Sequence, residues 1–255
     1  MYFDVSATAY GRFMGRFSEP LAEQFLRLVG ARPGLRVLDV GAGAGALTAA
    51  LVSVLGSGAV SAIDPSEPFV DALRARCPDV DVRLAAAEEI PFPDDTFDAV
   101  LAQLVVHFMT DPVGGLREMA RVAAPGGTVA ASVWDHGGDR GPLSTFWQAA
   151  RALDPQAPDE SDYVGVHDGD LARVFEEAGL TGTTPGSVGI EVPHPGFDEW
   201  WEPYTLGVGP AGAYVDSLAP AARDELRERC RALLPTGPFT TRATAWTAVW
   251  VKPGA

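Results

Sequence analysis

Residues 36–47, RVLDVGAGAGAL, constrain the fold more than any other stretch of the chain. A short apolar run carries one acid, Asp39, meets glycines at 41, 43 and 45, and passes into an Ala/Leu segment. This order reads as a buried strand, a tight turn and the start of a helix, one βα unit of a layered α/β protein. The alternation continues downstream. Apolar runs at 59–64, 80–87, 97–103 and 128–134 predict four more strands after the one at 35–40. Helical stripes lie around them: Leu21, Phe25, Leu28 and Val29; Leu47, Leu51, Val54 and Leu55; Phe69, Leu73 and Cys77; Leu116, Met119, Ala120 and Ala123, the last closed by PGG.

Strands that are apolar on both faces, with helices between them, imply a parallel sheet covered on both sides. Right-handed crossovers make it doubly wound, with ligands at the C-terminal strand ends. After Asp135 the pattern changes. Residues 143–153, 170–178 and 222–233 predict helices, 187–192 and 241–251 predict strands, and FDEWWEPYTLGVGPAGAY has no clean period. The expected fold is therefore α/β and Rossmann-like: a doubly wound, mostly parallel seven-stranded sheet with an inserted helical and aromatic cap. The 255 residues suit a single domain. Within it, 1–30 would form an N-terminal helical cover, 31–135 the cofactor-binding half, 136–234 the cap and late sheet elements, and 235–255 the closing strand.

Composition narrows the partners. The net charge is −15, which repels nucleic acid and anionic lipid, whose binding rests on Lys and Arg. Cys77 and Cys230 form no CxxC pair, so no metal site is expected and both read as reduced thiols in a cytoplasmic protein. The opening MYFDVSATAYGRFMGRF does not read as a signal peptide, and no run reaches transmembrane length.

The glycine turn brings backbone close to a ligand, and the acid ending the second strand, Asp64, can accept both hydroxyls of a ribose. Gly41, Gly43 and Ala46 satisfy the loose GxGxxG/A form, so NAD and S-adenosylmethionine both fit. Asp39 favours the second: a carboxylate there would repel a pyrophosphate and attract an ammonium and a sulfonium. Its alternative role is to cap local backbone.

VLDVGAGAG, AIDPS, AEEIPFPDDTFDAV and LREMARVAAPGG follow one another in the order and spacing of the class I S-adenosylmethionine-dependent methyltransferases. The chain resembles the small-molecule branch that includes the ubiquinone/menaquinone-type enzymes. The resemblance implies S-adenosylmethionine as cofactor, S-adenosylhomocysteine as product, and transfer to an O, N or C nucleophile of a small aromatic or hydrophobic molecule. It places Gly41, Ala42 and Gly43 against the methionine part and ribose, Asp39 near the amino group, and Asp64 on the ribose. Pro65 and Ser66 would lie beside the adenine, Ala87 and Glu88 at its edge, and Gln103 and Leu104 at the methyl end. Tyr10 and Arg16 match a segment that folds over the cofactor, with Arg16 either on the cofactor carboxylate or at the surface. The family often has an acid at position 86, where this chain has Ala86.

Methyl transfer needs alignment and exclusion of water more than a catalytic triad, and a base only when the nucleophile arrives protonated. His107 and His136 are the candidate bases; each could instead be a structural or loop residue. Asp135 could orient His136 or meet a cationic substrate. Phe146, Trp147, Trp200, Trp201 and Tyr204 could wall a substrate pocket or form the cap's own core. An NAD-dependent oxidoreductase is the rival reading, but no Tyr is followed four residues later by Lys, and Lys252 is the one lysine. A protein that binds the cofactor without methylating is the other.

Overall fold

The computed structural model describes residues 11–158 and 160–254. A π-helical turn, Gly11–Gly15, leads into α1 (Arg16–Leu28). Then follow β1 (Val37–Val40), α2 (Ala46–Leu55), β2 (Val60–Asp64), α3 (Glu67–Arg76), β3 (Asp81–Leu84), β4 (Phe97–Gln103), α4 (Pro112–Val122) and β5 (Ala123–Trp134). The second half contributes α5 (Ser144–Leu153), α6 (Asp170–Glu177), β6 (Thr184–His194), α7 (Phe197–Trp201), α8 (Gly209–Ser217), α9 (Pro220–Leu233) and β7 (Phe239–Val251).

The described strands form one seven-stranded sheet in the order β3-β2-β1-β4-β5-β7-β6. The pairs among β1 to β5 are parallel, and β7 runs antiparallel between β5 and β6. The sequence reading of a mostly parallel, doubly wound sheet therefore holds. Strand alternation splits the core. Leu38, Val40, Ile63, Val100 and Ala102 face α4 and α6. Val37, Ala62, Ala99 and Leu101 face α1, α2 and α3. Asp39 shares the face of Val37, which turns it toward α2.

The start of α4 is fixed locally. Asp111 caps α4 by accepting from the Gly114 N–H at 2.9 Å, and Pro112 occupies the first turn. Several expectations shift. β3 stops at Leu84, releasing residues 85–88 as a loop at the strand ends. PGG does not end α4; β5 begins at Ala123 and takes these residues in through a register irregularity opposite Phe97 and Ala99. Leu28 and Val54, placed on apolar stripes, are exposed because each sits in the last turn of its helix, beyond the packed contact.

The cap comes from two connections. α5 belongs to the β5–β6 link, and α7, α8 and α9 to the β6–β7 link. They bury a separate aromatic cluster, into which Phe13 of the N-terminal turn also inserts. No helix among the described residues is long and apolar enough to cross a membrane.

Candidate functional site

The C-terminal ends of β1, β2 and β4, the loop after β3 and the N-terminal turn enclose a cleft of about 850 Å³. Its floor is the glycine turn. Gly41 has φ +68°, and a Cβ there would lie 2.3 Å from Val105 Cγ2, so conformation and space both require glycine. The backbone N–H groups of Gly41 and Ala42 both donate to Ile63 O, at 2.9 and 3.0 Å, tying the turn to β2. Gly43 is also left-handed, at φ +55°, but a Cβ there would meet no protein atom.

Two acids define the electrostatics. Asp39 is 1% exposed, and the Thr48 hydroxyl donates to its Oδ2 at 2.6 Å. Burial, reinforced by the charge of Asp64, pushes its carboxyl up to about 7, against the pull of the Thr48 hydrogen bond. Asp64 accepts from Gly43 N–H at 2.8 Å on Oδ2 and from Ser66 N–H at 2.9 Å on Oδ1. Burial raises its pKa as well. Each oxygen keeps a further lone-pair direction, so the group can receive two adjacent hydroxyls.

The side chain of Gln103 is anchored by its Nε2, which donates to Ser18 O at 3.0 Å, while its Oε1 is buried without a partner. The described lining includes five acids, Glu19, Asp39, Asp64, Glu67 and Glu88, against one base, Arg76. That balance opposes a dinucleotide pyrophosphate. It suits a ligand with a ribose diol, an ammonium and a sulfonium, and the buried acceptor on Gln103 suits an N–H donor. The residues present therefore fit S-adenosylmethionine.

Most residues expected at the cofactor do line this cleft: Asp39, Gly41, Ala42, Gly43, Asp64, Pro65, Ser66, Ala87, Glu88, Gln103 and Leu104. Ala86 lines it with a methyl group where an acid was the usual partner. Tyr10 lies outside the described residues. Arg16 does not line the cleft. Its guanidinium pairs with Glu199 at 2.6 Å and approaches His194 Nδ1 at 3.3 Å, which draws it toward the cap. Arg76 is the base that does line the cleft, held by Glu19 at 2.9 Å. Its place at the end of an ordinary amphipathic helix carried no signal.

A second, smaller chamber of about 40 Å³ adjoins the cleft, and Leu104 and Phe108 belong to both walls. Leu104 holds a left-handed φ of +61°, a strained conformation for a leucine, where β4 ends. Among the described residues, Phe13 and Met14, His107, Trp134, His136, Leu143, Glu160 and residues 208–210 also line the chamber. Both histidines therefore meet there, with ring centroids 6.4 Å apart. His107 stacks on Tyr163 at 5.8 Å, and burial, then the neighbouring His136, pushes its pKa down to about 3. His136 Nδ1 stands 3.9 Å from Glu160 Oε2, the oxygen that accepts from Trp147 Nε1 at 3.0 Å. Glu160 lies in a loop rich in proline and acids, and nothing in its local sequence singled it out.

The expected substrate wall is corrected. Phe146, Trp147, Trp200, Trp201 and Tyr204 are buried in the cap core and line neither cavity. Phe146 and Tyr204 stack at 4.6 Å with planes 7° apart. Asp135 is also turned away from any ligand: fully buried, it accepts from Gly138 N–H at 2.8 Å and from Arg140 Nε. A Cβ on Gly138 would lie 2.6 Å from Asp135 Oδ1, which explains a glycine in DHGGDRG. The aromatics that do wall the chamber are Phe13, Phe108 and Trp134.

Comparison with known proteins agrees with this geometry. A methyltransferase domain family matches residues 38–131. An uncharacterized methyltransferase of Mycobacterium bovis is 45% identical over 100 residues, 39% of this chain and 40% of that protein. A ubiquinone/menaquinone biosynthesis C-methyltransferase of Vibrio campbellii is 41% identical over 105 residues, 38% of this chain and 40% of that protein. The chain thus spans about 40% of the length of the curated relatives it matches. Among solved structures, YcgJ of Bacillus subtilis aligns with a TM-score of 0.56 at 21% identity, covering 92% of this chain and 98% of that one. A Haemonchus contortus phosphoethanolamine N-methyltransferase, solved with phosphomonomethylethanolamine and S-adenosylhomocysteine, aligns with a TM-score of 0.61 at 18% identity, covering 99% of this chain and 58% of that one. Residues 38–131 thus match a methyltransferase domain, and the fold of the whole chain is shared with these solved structures.

Proposed function

We propose that this protein transfers a methyl group from S-adenosylmethionine to a small apolar molecule held beneath the cap. The observation that carries the reading is the acid-dominated cleft, in which Asp64 offers two acceptor oxygens and Asp39 waits, buried and half-neutralised, for a cation. Bound there, the cofactor supplies a methyl carbon already activated by a sulfonium leaving group.

The chain's own residues do the rest by position. Asp64 holds the ribose, and Asp39 and the free acceptor of Gln103 hold the amino group. Leu104 and Phe108 form the passage between cleft and chamber, so an acceptor in the chamber faces the methyl end. The mostly apolar walls disfavour water at the displacement, and alignment is the main source of rate. The relatives named above act on chemically different acceptors or on none yet described, and this chain's acceptor is not inherited from them.

Calorimetric titration of the protein with S-adenosylmethionine and with NAD tests the reading. Saturable binding of the first and none of the second is expected; turnover of a nicotinamide cofactor without S-adenosylmethionine would overturn it.

A further inference from the structure

The chamber beside the cofactor cleft carries its own chemical signature. Its walls are mostly apolar and aromatic, so the part of an acceptor that enters is apolar. Two wall residues nevertheless keep buried polar atoms without a protein partner: the indole N–H of Trp134 and Nδ1 of His107. Trp134 is 2% exposed.

An indole can only donate, so Trp134 needs an acceptor. A neutral imidazole can donate from one nitrogen and accept at the other. A hydroxyl oxygen answers the indole and can still react: one lone pair accepts from Trp134, the other is left for attack on carbon, and its single proton is left for the base that removes it. A neutral amine that accepted from the indole would commit the single lone pair it needs for attack. A carbon acid offers no acceptor at the reacting atom.

A hydroxyl of ordinary acidity also needs its proton removed. His136 stands in the same wall with Glu160 behind it, and Trp147 holds that carboxylate in place. A carboxylate beside an imidazole stabilises the imidazolium that forms when a proton arrives. The chamber's 40 Å³ has room for about three waters. It therefore receives the hydroxyl and the carbon that bears it, and the body of a larger acceptor extends beyond the chamber.

We infer that the chamber binds the hydroxyl end of an apolar acceptor and that the protein is an O-methyltransferase with His136 as the proton acceptor, an inference that rests on the methyl-transfer reading above. In the step, the hydroxyl oxygen bonds to the methyl carbon as the carbon–sulfur bond breaks, and that bonding pair goes to sulfur. The hydroxyl proton passes to His136 and then to water. The products are a methyl ether, S-adenosylhomocysteine and one proton. Glu160 is a positioning residue, acting through His136.

Phenol, aniline and toluene form a matched set of probes. Titrated into the protein saturated with S-adenosylhomocysteine and followed by NMR, phenol should bind at least about tenfold more tightly than the other two. Trp134→Phe should bring phenol down to the level of toluene while retaining S-adenosylhomocysteine. With S-adenosylmethionine, phenol should yield anisole, and His136→Gln should slow this by about 100-fold at pH 7. The deficit should shrink at pH 9, where more phenol ionises unaided; a merely structural role would give an equal loss at both. Toluene or aniline binding as tightly as phenol, absence of saturable phenol binding, absence of anisole, or a pH-independent deficit each overturns the inference. If Trp134→Phe does not fold, the ranking of the three probes on the unaltered protein decides. Failure of S-adenosylhomocysteine itself to bind would strike the methyl-transfer reading instead.

Discussion

Asp39 and Asp64 show how neighbouring carboxylates acquire different tasks from their surroundings. Asp64 spends one lone pair per oxygen on the glycine turn and the β2–α3 corner, and faces the cleft with the rest. Replacing it with Ala removes a pair of charge-assisted hydrogen bonds and should weaken S-adenosylmethionine binding by about 2–3 kcal/mol, read by calorimetry. Asp39 behaves differently because its burial is nearly complete. Its folded pKa, about 7, lies above the ordinary carboxylate value, so the stability linked to its proton is fully present below about pH 4 and is lost as pH rises to about 7. The whole excursion is worth roughly 4 kcal/mol. Asp39→Asn keeps an acceptor for the Thr48 hydroxyl and removes the charge. It should raise the thermal midpoint of the ligand-free protein at pH 8, flatten its decline between pH 4 and 8, and weaken cofactor binding. Opposite signs for stability and affinity distinguish a ligand-directed acid from a structural one.

At the scale of elements, the loop after β3 is the part of the cleft least supported by regular structure. Its shape is fixed from α4. Arg121 donates to Ile90 O and Phe92 O, each at 2.9 Å, and to Glu118 and Asp94, each at 2.7 Å. Glu118 in turn accepts from the Ile90 N–H at 3.1 Å. The paired motifs AEEIPFPDDTFDAV and LREMARVAAPGG are thus two halves of one contact: an arginine on a helix reads the backbone of the loop that borders the cleft. Arg121→Met should lower stability by about 2 kcal/mol, since the side chain is partly exposed but bonded to charged and backbone acceptors. A urea titration with an unchanged slope and a lower midpoint checks this. Strand and helix positions in this half were readable because period and punctuation are local. The exact end of β3 was not, because Leu84 and Ala85 are equally compatible with strand until Asp64 O claims the Ala85 N–H.

The molecule as a whole is closed by its N-terminal segment. Arg12 bonds both oxygens of Glu202, at 2.7 and 2.8 Å, Phe13 meets Tyr204 edge-on at 5.2 Å, and Arg16 joins Glu199 and His194. The turn that carries Gly11 and Gly15 over the cofactor cleft also carries Phe13 and Met14 into the chamber. One segment therefore roofs both cavities. With its guanidinium spent on the cap, Arg16 is expected to contribute little to the cofactor. Arg16→Gln should leave S-adenosylmethionine affinity within about threefold, a change of under 1 kcal/mol. It should also speed hydrogen exchange across residues 11–28 and the α7 region, as the roof loosens. A large loss of affinity would return Arg16 to the cofactor.

The sequence by itself determined the βα alternation, the glycine turn, the position of Asp64 at the end of β2 and the methyltransferase domain at 38–131, because each is written in residues close together along the chain. The tertiary structure alone decided the rest. Arg16 met Glu199 rather than a ligand, Asp135 met its own loop, and the cap tryptophans packed on one another. Glu160 reached His136 from a loop with no period of its own. Whether an aromatic or charged side chain serves a ligand or a neighbour depends on which distant segment arrives opposite it. Local patterning sets only which face is apolar; the packing of the cap onto the strand ends sets what that face meets.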